Sequence, residues 1–242
     1  MSEASDKTAD LFEALDSRDK PTIRAAVDAL IPLAADSSDV RETLHQRLLD
    51  AQRKNRWPIA YVLAHLPQPS PEITQVLLDG LADREPDIRW AIGLLLVRLA
   101  KTEANVAEKL FDLCTIGTTA QKRMAIYCIR DLKLHDKNSL WVFLKLLQDD
   151  DPTVRVAAVT SLKTRSDVDT NGRQLLLQLF VEDQDLRVRN AAAITLAQLG
   201  SPSEEFVSAL NKADTNENPQ IRKAAAAALA ILQNKRSAPS GS

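Results

Sequence analysis

Apolar positions recur along this chain in two interleaved ladders, each with a period of about 33 residues. One runs through Leu30, Leu63, Leu96, Ile129, Leu162, Leu196 and Leu229, at spacings of 33, 33, 33, 33, 34 and 33. Four residues before these stand Ala26, Ile59, Ile92, Ala125, Ala158, Ala192 and Ala225, and an offset of one turn marks one face of a helix. The other ladder runs Leu11, Leu44, Leu77, Leu110, Phe143, Leu177 and Leu210, answered four residues later by Leu15, Leu48, Leu81, Cys114, Leu147 and Val181. Leu33, Leu66, Leu99, Leu132, Leu199 and Leu232 extend the first ladder, and Arg165 is its one break. Short polar links such as 35–39, 67–71 and 166–170 separate the units. The pattern predicts seven two-helix repeats, over about 4–35, 36–68, 69–101, 102–134, 135–167, 168–201 and 202–234. They are expected to form one all-α domain over 1–234, followed by a disordered tail over 235–242 that has nothing to bury.

The turn inside each repeat has its own signature. It reads Glu85-Pro86-Asp87-Ile88-Arg89, Asp151-Pro152-Thr153-Val154-Arg155, Asp185-Leu186-Arg187-Val188-Arg189 and Asn218-Pro219-Gln220-Ile221-Arg222. A capping residue, a first helical position that is Pro in three of the four, and an Arg one turn in make a helix start. Arg56 holds the anchor place in the second repeat, while Ile23 and Lys122 hold it in the first and fourth, where the arginine comes one residue late as Arg24 and Arg123. Units of this kind resemble the HEAT repeat, particularly the bacterial HEAT-like type first associated with phycobilisome lyases, over about residues 4–234. The resemblance implies a right-handed α-α superhelix, a HEAT-like solenoid whose first helices form the outer surface and whose second helices line the inner one.

Composition narrows this reading. A chain that is 45% hydrophobic but only 4% aromatic has an aliphatic core, and six glycines with almost no alternating β-branched runs argue against a sheet. A formal net charge of -2 provides no global attraction to nucleic acid or acidic membrane. The N-terminal ten residues are polar and no apolar run reaches membrane length, so a cytoplasmic protein is expected. Cys114 and Cys128 have no metal or redox spacing and suit a reducing compartment, with Cys114 in a core leucine place.

The candidate site follows from helical geometry. Positions one, five and nine after each anchor lie nearly opposite the apolar face of the second helix and should look inward. Both tyrosines and two of three tryptophans fall there. In repeats two to four the expected partner-binding residues are Trp57, Tyr61, His65, Trp90, Leu94, Arg98, Arg123, Tyr127 and Asp131, with aromatics at the centre and charges at the rim of an interface. The alternative is that these aromatics fill space between helices. Trp141, two residues before Phe143, is expected partly buried on the outer side.

The anchors Arg56, Arg89, Arg155, Arg189 and Arg222 are expected to be structural, each bridging acidic turn residues such as Glu85, Asp151 and Asp185 of its own or a neighbouring unit. Arg47, Arg53, Lys54 and Arg56 make a basic turn that is either solvated or a contact for an acidic segment. His45, His65 and His135 stand apart, none followed by Glu, so the His-Glu pairs of the HEAT-like deoxyhypusine hydroxylases are absent. With no nucleophile set, phosphate loop or metal spacing, the expectation is a non-enzymatic scaffold or adaptor for a protein or peptide segment, without cofactor, metal or membrane. Two other readings stay open. One is a tetrapyrrole held by the aromatic stripe, as resemblance to the lyases implies. The other is nucleic acid, since the HEAT-like alkylpurine DNA glycosylases use inward tryptophans and an Asp, for which Trp57, Trp90 and Asp131 invite comparison.

Overall fold

The computed structural model describes residues 2–50, 52–53, 55–134 and 136–237. Among them are fourteen helices and no strand. The first three repeats comprise α1 (Ser2–Ala14) with α2 (Lys20–Asp36), α3 (Ser38–Leu49) with α4 (Trp57–Leu63), and α5 (Pro71–Gly80) with α6 (Pro86–Leu99). The remaining pairs are α7 (Ala104–Ile116) with α8 (Thr119–Asp131), α9 (Lys137–Leu146) with α10 (Pro152–Leu162), α11 (Thr170–Glu182) with α12 (Leu186–Leu199), and α13 (Glu204–Asp214) with α14 (Pro219–Ser237). These helices group into two compact units, Met1–Glu108 and Lys109–Ser242. Within each unit the second helices pack on one another: α2 on α4 in the first, and α8, α10, α12 and α14 in series in the second.

The two ladders are the core. Leu30, Leu63, Leu96, Ile129, Leu162 and Leu196 are buried, as are Leu44, Leu77, Leu110, Phe143 and Leu210 on the first helices. Burial of this aliphatic face drives helices of 10 to 14 residues, too short to be stable alone, to stack. Leu229, in the last helix, is only half-buried.

Three sequence expectations, at Val181, the tail and Trp141, need correction. Val181 is 47% exposed; Leu177 of that ladder is buried, but the deepest positions of the sixth repeat are Leu176 and Phe180. The extra residue of that repeat therefore falls between Phe180 and Asp183, where it lengthens α11 without moving its buried face. Arg165 is buried in its ladder place, 5% exposed. The tail begins later than expected, because α14 continues to Ser237 and Lys235 Nζ donates to the Gln198 carbonyl; residues 238–242 lie outside the described residues. Trp141 is 59% exposed, with Lys145 Nζ 5.0 Å from its ring centre, because a position two residues from Phe143 points away from the core.

The turns also differ from expectation in a specific way. The anchor guanidinium groups bind backbone carbonyls: Arg89 donates to Asp83 O (2.6 Å) and Arg84 O (3.1 Å), Arg155 to Asp149 O (2.8 Å) and Asp150 O (3.1 Å), and Arg222 to Asn216 O (2.7 Å) and Glu217 O (2.8 Å). Arg189 donates to Phe180 O at 2.9 Å, and Arg56 reaches Leu48 O at 3.5 Å. Carbonyls at and beyond a helix C-terminus lack intrahelical donors, and a guanidinium satisfies two at once. The acidic residues Asp151 and Asp185 cap the second helices, accepting from Thr153 N (2.7 Å) and Arg187 N (2.8 Å). A carboxylate is reached only one repeat further on, where Arg155 Nε and Nη2 lie 2.8 and 2.9 Å from Asp183. Lys122, the substitute anchor, does likewise with Asp149 at 2.7 Å.

Candidate functional site

Of the nine predicted partner residues, six lie in the first unit and three in the second. Trp57, Tyr61 and His65 form a stack along α4. The Trp57 and Tyr61 rings are edge-on, 6.4 Å apart at 89°, and the Tyr61 and His65 rings are 5.0 Å apart at 45°. His65 Nδ1 donates to the Tyr61 carbonyl at 2.8 Å, which fixes the tautomer. Burial lowers the His65 pKa below its usual value, ahead of the opposing backbone hydrogen bond and the nearby Arg98 charge, so the imidazole is neutral at pH 7.

Trp57 is half-buried rather than exposed, and its surroundings show why. It lies on α4 between α2 and α6, in a cavity of about 620 Å³ whose floor includes Ile23, Val27, Tyr61, Ile88 and Ala91. Lys20, Arg24, Asp28 and Asp87 stand on its rim. Gly80 permits the close packing beneath: a Cβ there would come 2.6 Å from Ile92 Cδ1 and 3.7 Å from Trp57 Cβ. On α6, Trp90 is 43% exposed and Leu94, one turn on, 63%. Arg98 continues that line and donates to the Ala64 carbonyl at the end of α4, 3.1 Å away.

The three residues of the second unit have different surroundings. Arg130 holds Asp131 at 2.7 Å and lies 5.0 Å from the Tyr127 ring centre. Asp131, the acid that a nucleic-acid reading would use, is thus paired. Arg123 lies close enough to help lower the Asp151 pKa, after the larger effect of the Thr153 hydrogen bonds.

The basic turn faces α1. Arg47 pairs with Glu13 at 2.8 Å and covers the Phe12 ring at 5.0 Å, Arg53 pairs with Asp16, and Lys54 lies outside the described residues. Cys114 and Cys128 are buried thiols, both pushed up to about 12 chiefly by desolvation, which leaves them unreactive. Among the described residues no group of His, Cys, Asp and Glu could hold a metal ion, and no helix is long and apolar enough to cross a membrane. His135 lies outside the described residues.

Sequence reasoning missed two features. Arg165 turns its guanidinium to Leu134 O (3.0 Å), Ser139 Oγ (2.8 Å), Asp136 O (3.1 Å) and the Asp167 carboxylate (2.6 Å), fastening the loop before α9; its solitary place in a leucine ladder was the available signal. Lys20, one residue after the Asp19 cap, is the other. It reaches from α2 to α6, with Nζ 2.5 Å from Glu85 and 3.0 Å from Asp87, a contact between the first and third repeats that no local pattern announces.

A family profile of HEAT repeats matches residues 107–197 and 173–240, together more than half of the chain. No curated protein matches it in sequence. Among solved structures, YibA of Escherichia coli is 15% identical with a TM-score of 0.59, over 95% of this chain and 82% of that one. In the Schizosaccharomyces pombe condensin Cnd3–Cnd2 subcomplex, one chain is 19% identical with a TM-score of 0.54, over 93% of this chain and 32% of that one. At such identities these likenesses establish the fold alone.

Proposed function

The chain belongs to the HEAT-repeat family, and from that premise we propose that it is a binding scaffold whose partner, a protein or peptide segment, seats on the second helices around Trp57. The observation that carries this reading is the cavity over α4, with an aromatic and aliphatic floor and a charged rim. Apolar anchor pockets bordered by charge are where binding energy concentrates in interfaces. Trp90 and Leu94 extend the apolar surface beside the pocket. The centre of the site is thus repeats one to three, with Tyr127 and Asp131 outside it. Neither a cofactor nor a reaction enters the reading, and nothing about the pocket favours a tetrapyrrole or nucleic acid over a polypeptide.

Truncation of the anchors tests it. Trp57→Ala and Trp90→Ala should each weaken capture of the native partner by about 2 kcal/mol, the size of an interface hot spot. Trp90 should also be open to aqueous quenchers in the free protein and shielded in the complex. Unchanged capture by the double variant, with its fold intact by circular dichroism, refutes the assignment.

A further inference from the structure

We infer, building on that reading of the pocket, that the groove is made for a basic segment. A lysine or arginine of the partner lays its aliphatic stem on Trp57 and takes the place of Lys20 between Glu85 and Asp87. The starting point is the Lys20 link itself. Its ammonium lies 2.5 Å from Glu85 Oε2 and 3.0 and 3.2 Å from the two Asp87 oxygens, and both Lys20 and Asp87 line the cavity. A stack whose repeats pack only on neighbours does not require a bond from the first repeat to the third.

Three observations point to an exchangeable cation seat. Glu85 stands at the N-cap of α6 yet makes no capping hydrogen bond there, whereas Asp19, Asp151 and Asp185 at the equivalent places all cap their helices. Its carboxylate is therefore not consumed by the helix. Second, the seat itself is one cation short: the single Lys20 ammonium faces the two carboxylates of Glu85 and Asp87, and on the rim Arg24 lies 3.9 Å from Asp28 without a hydrogen bond between them. An acidic partner meets surplus carboxylate, while a basic one completes the balance. Third, the Lys20, Glu85 and Asp87 side chains are 44%, 50% and 64% exposed, and exposed pairs exchange at little cost. The aromatic floor beside them suits the long methylene stem and charged head of a basic side chain. Lys20 then acts as a ligand held in cis, which the partner displaces.

Three blocked, labelled peptides test this on the full chain by fluorescence anisotropy at low salt: alternating Leu and Arg, Leu and Gln, and Leu and Glu. The arginine peptide should bind about tenfold more tightly than the glutamine peptide, and the glutamate peptide not at all. Lys20→Ala, and Lys20→Met as a second variant that keeps the stem, should tighten the arginine peptide about three- to tenfold by vacating the seat, and Glu85→Gln with Asp87→Asn should weaken it about tenfold. Melting curves show whether each variant is folded. Weaker or unchanged binding by folded Lys20→Ala and Lys20→Met overturns the inference, as does equal binding of the glutamate peptide. Binding of the glutamine peptide that Trp57→Ala abolishes, with no preference for arginine, overturns the basic partner but leaves the pocket as a binding site. Failure of all three peptides overturns both.

Discussion

Repeats five to seven and repeat two are built from the same parts and differ in how strictly they use them. In the former, each turn carries an Asp or Asn whose side chain holds the backbone of the cap residue two places on: Asp149 to Asp151 N (3.0 Å), Asp183 to Asp185 N (2.8 Å) and Asn216 to Asn218 N (2.9 Å). Each cap then fastens its helix. In repeat two this breaks down. Helix α4 has 7 residues against 11 to 19 in the other second helices, starts at Arg56 without a side-chain cap, and has an anchor with a single long contact among the described residues. The residues at the positions expected to face inward differ too: Val156, Thr160 and Asn190 in the regular repeats, Trp57 and Tyr61 in the irregular one. The match to HEAT repeats falls on 107–240. Regular turns hold the stack, and the pocket opens where the turn is relaxed and the inner residues are large.

The largest effect is expected in the aliphatic core that each region has. Leu96→Ala should cost about 2–5 kcal/mol in denaturant unfolding, because Leu96 is fully buried. Leu229→Ala, half-buried in the last helix, should cost about 1 kcal/mol and appear as local fraying. Equal losses would refute stacked units of unequal support.

The turns provide a sharper contrast. Arg155 makes two carbonyl bonds and a bidentate pair with Asp183, so Arg155→Ala should cost about 1–3 kcal/mol. Arg56→Ala, losing one 3.5 Å contact among the described residues, should stay within about 0.5 kcal/mol. A larger loss at Arg56 would mean that the second repeat is anchored as firmly as the fifth.

The smallest effect is electrostatic. The Lys20 hydrogen bond holds the Asp87 pKa below its usual value, and Glu85 and then Asp87 raise that of Lys20. A lowered carboxylate pKa stabilises above its ordinary value, about 4, and loses that contribution as pH falls through the lowered value; a raised ammonium pKa stabilises below about 10.4 and loses it as pH rises through the raised value. The difference in unfolding midpoint between wild type and Lys20→Ala should therefore be greatest near neutral pH, vanish in acid and shrink with salt. A difference that persists at pH 2 would show that the link is packing rather than charge.

The one-turn offsets and the 33-residue period made the helices, their pairing and most of the core legible from the chain alone, because burial of a helical face imposes its period directly on the sequence. The capping places of Asp151 and Asp185 were legible for the same local reason, since a cap and its helix start are adjacent in sequence. That Trp57 and Tyr61 stand one turn apart on a second helix also followed from position in the repeat. Tertiary packing decided the rest. The sequence could not say that Arg89 turns to carbonyls, or that Arg155 takes two carbonyls together with the Asp183 carboxylate, because all these acceptors lie within reach of one long side chain and only the path of the turns selects among them. Nor could it disclose that Lys20 reaches Glu85 and Asp87, or that Arg165 occupies a buried leucine place with its charge fully bonded. Those contacts join residues 65, 67, 26 and 31 positions apart, and distances of that kind are set by how helices stack, not by the local pattern along any one of them.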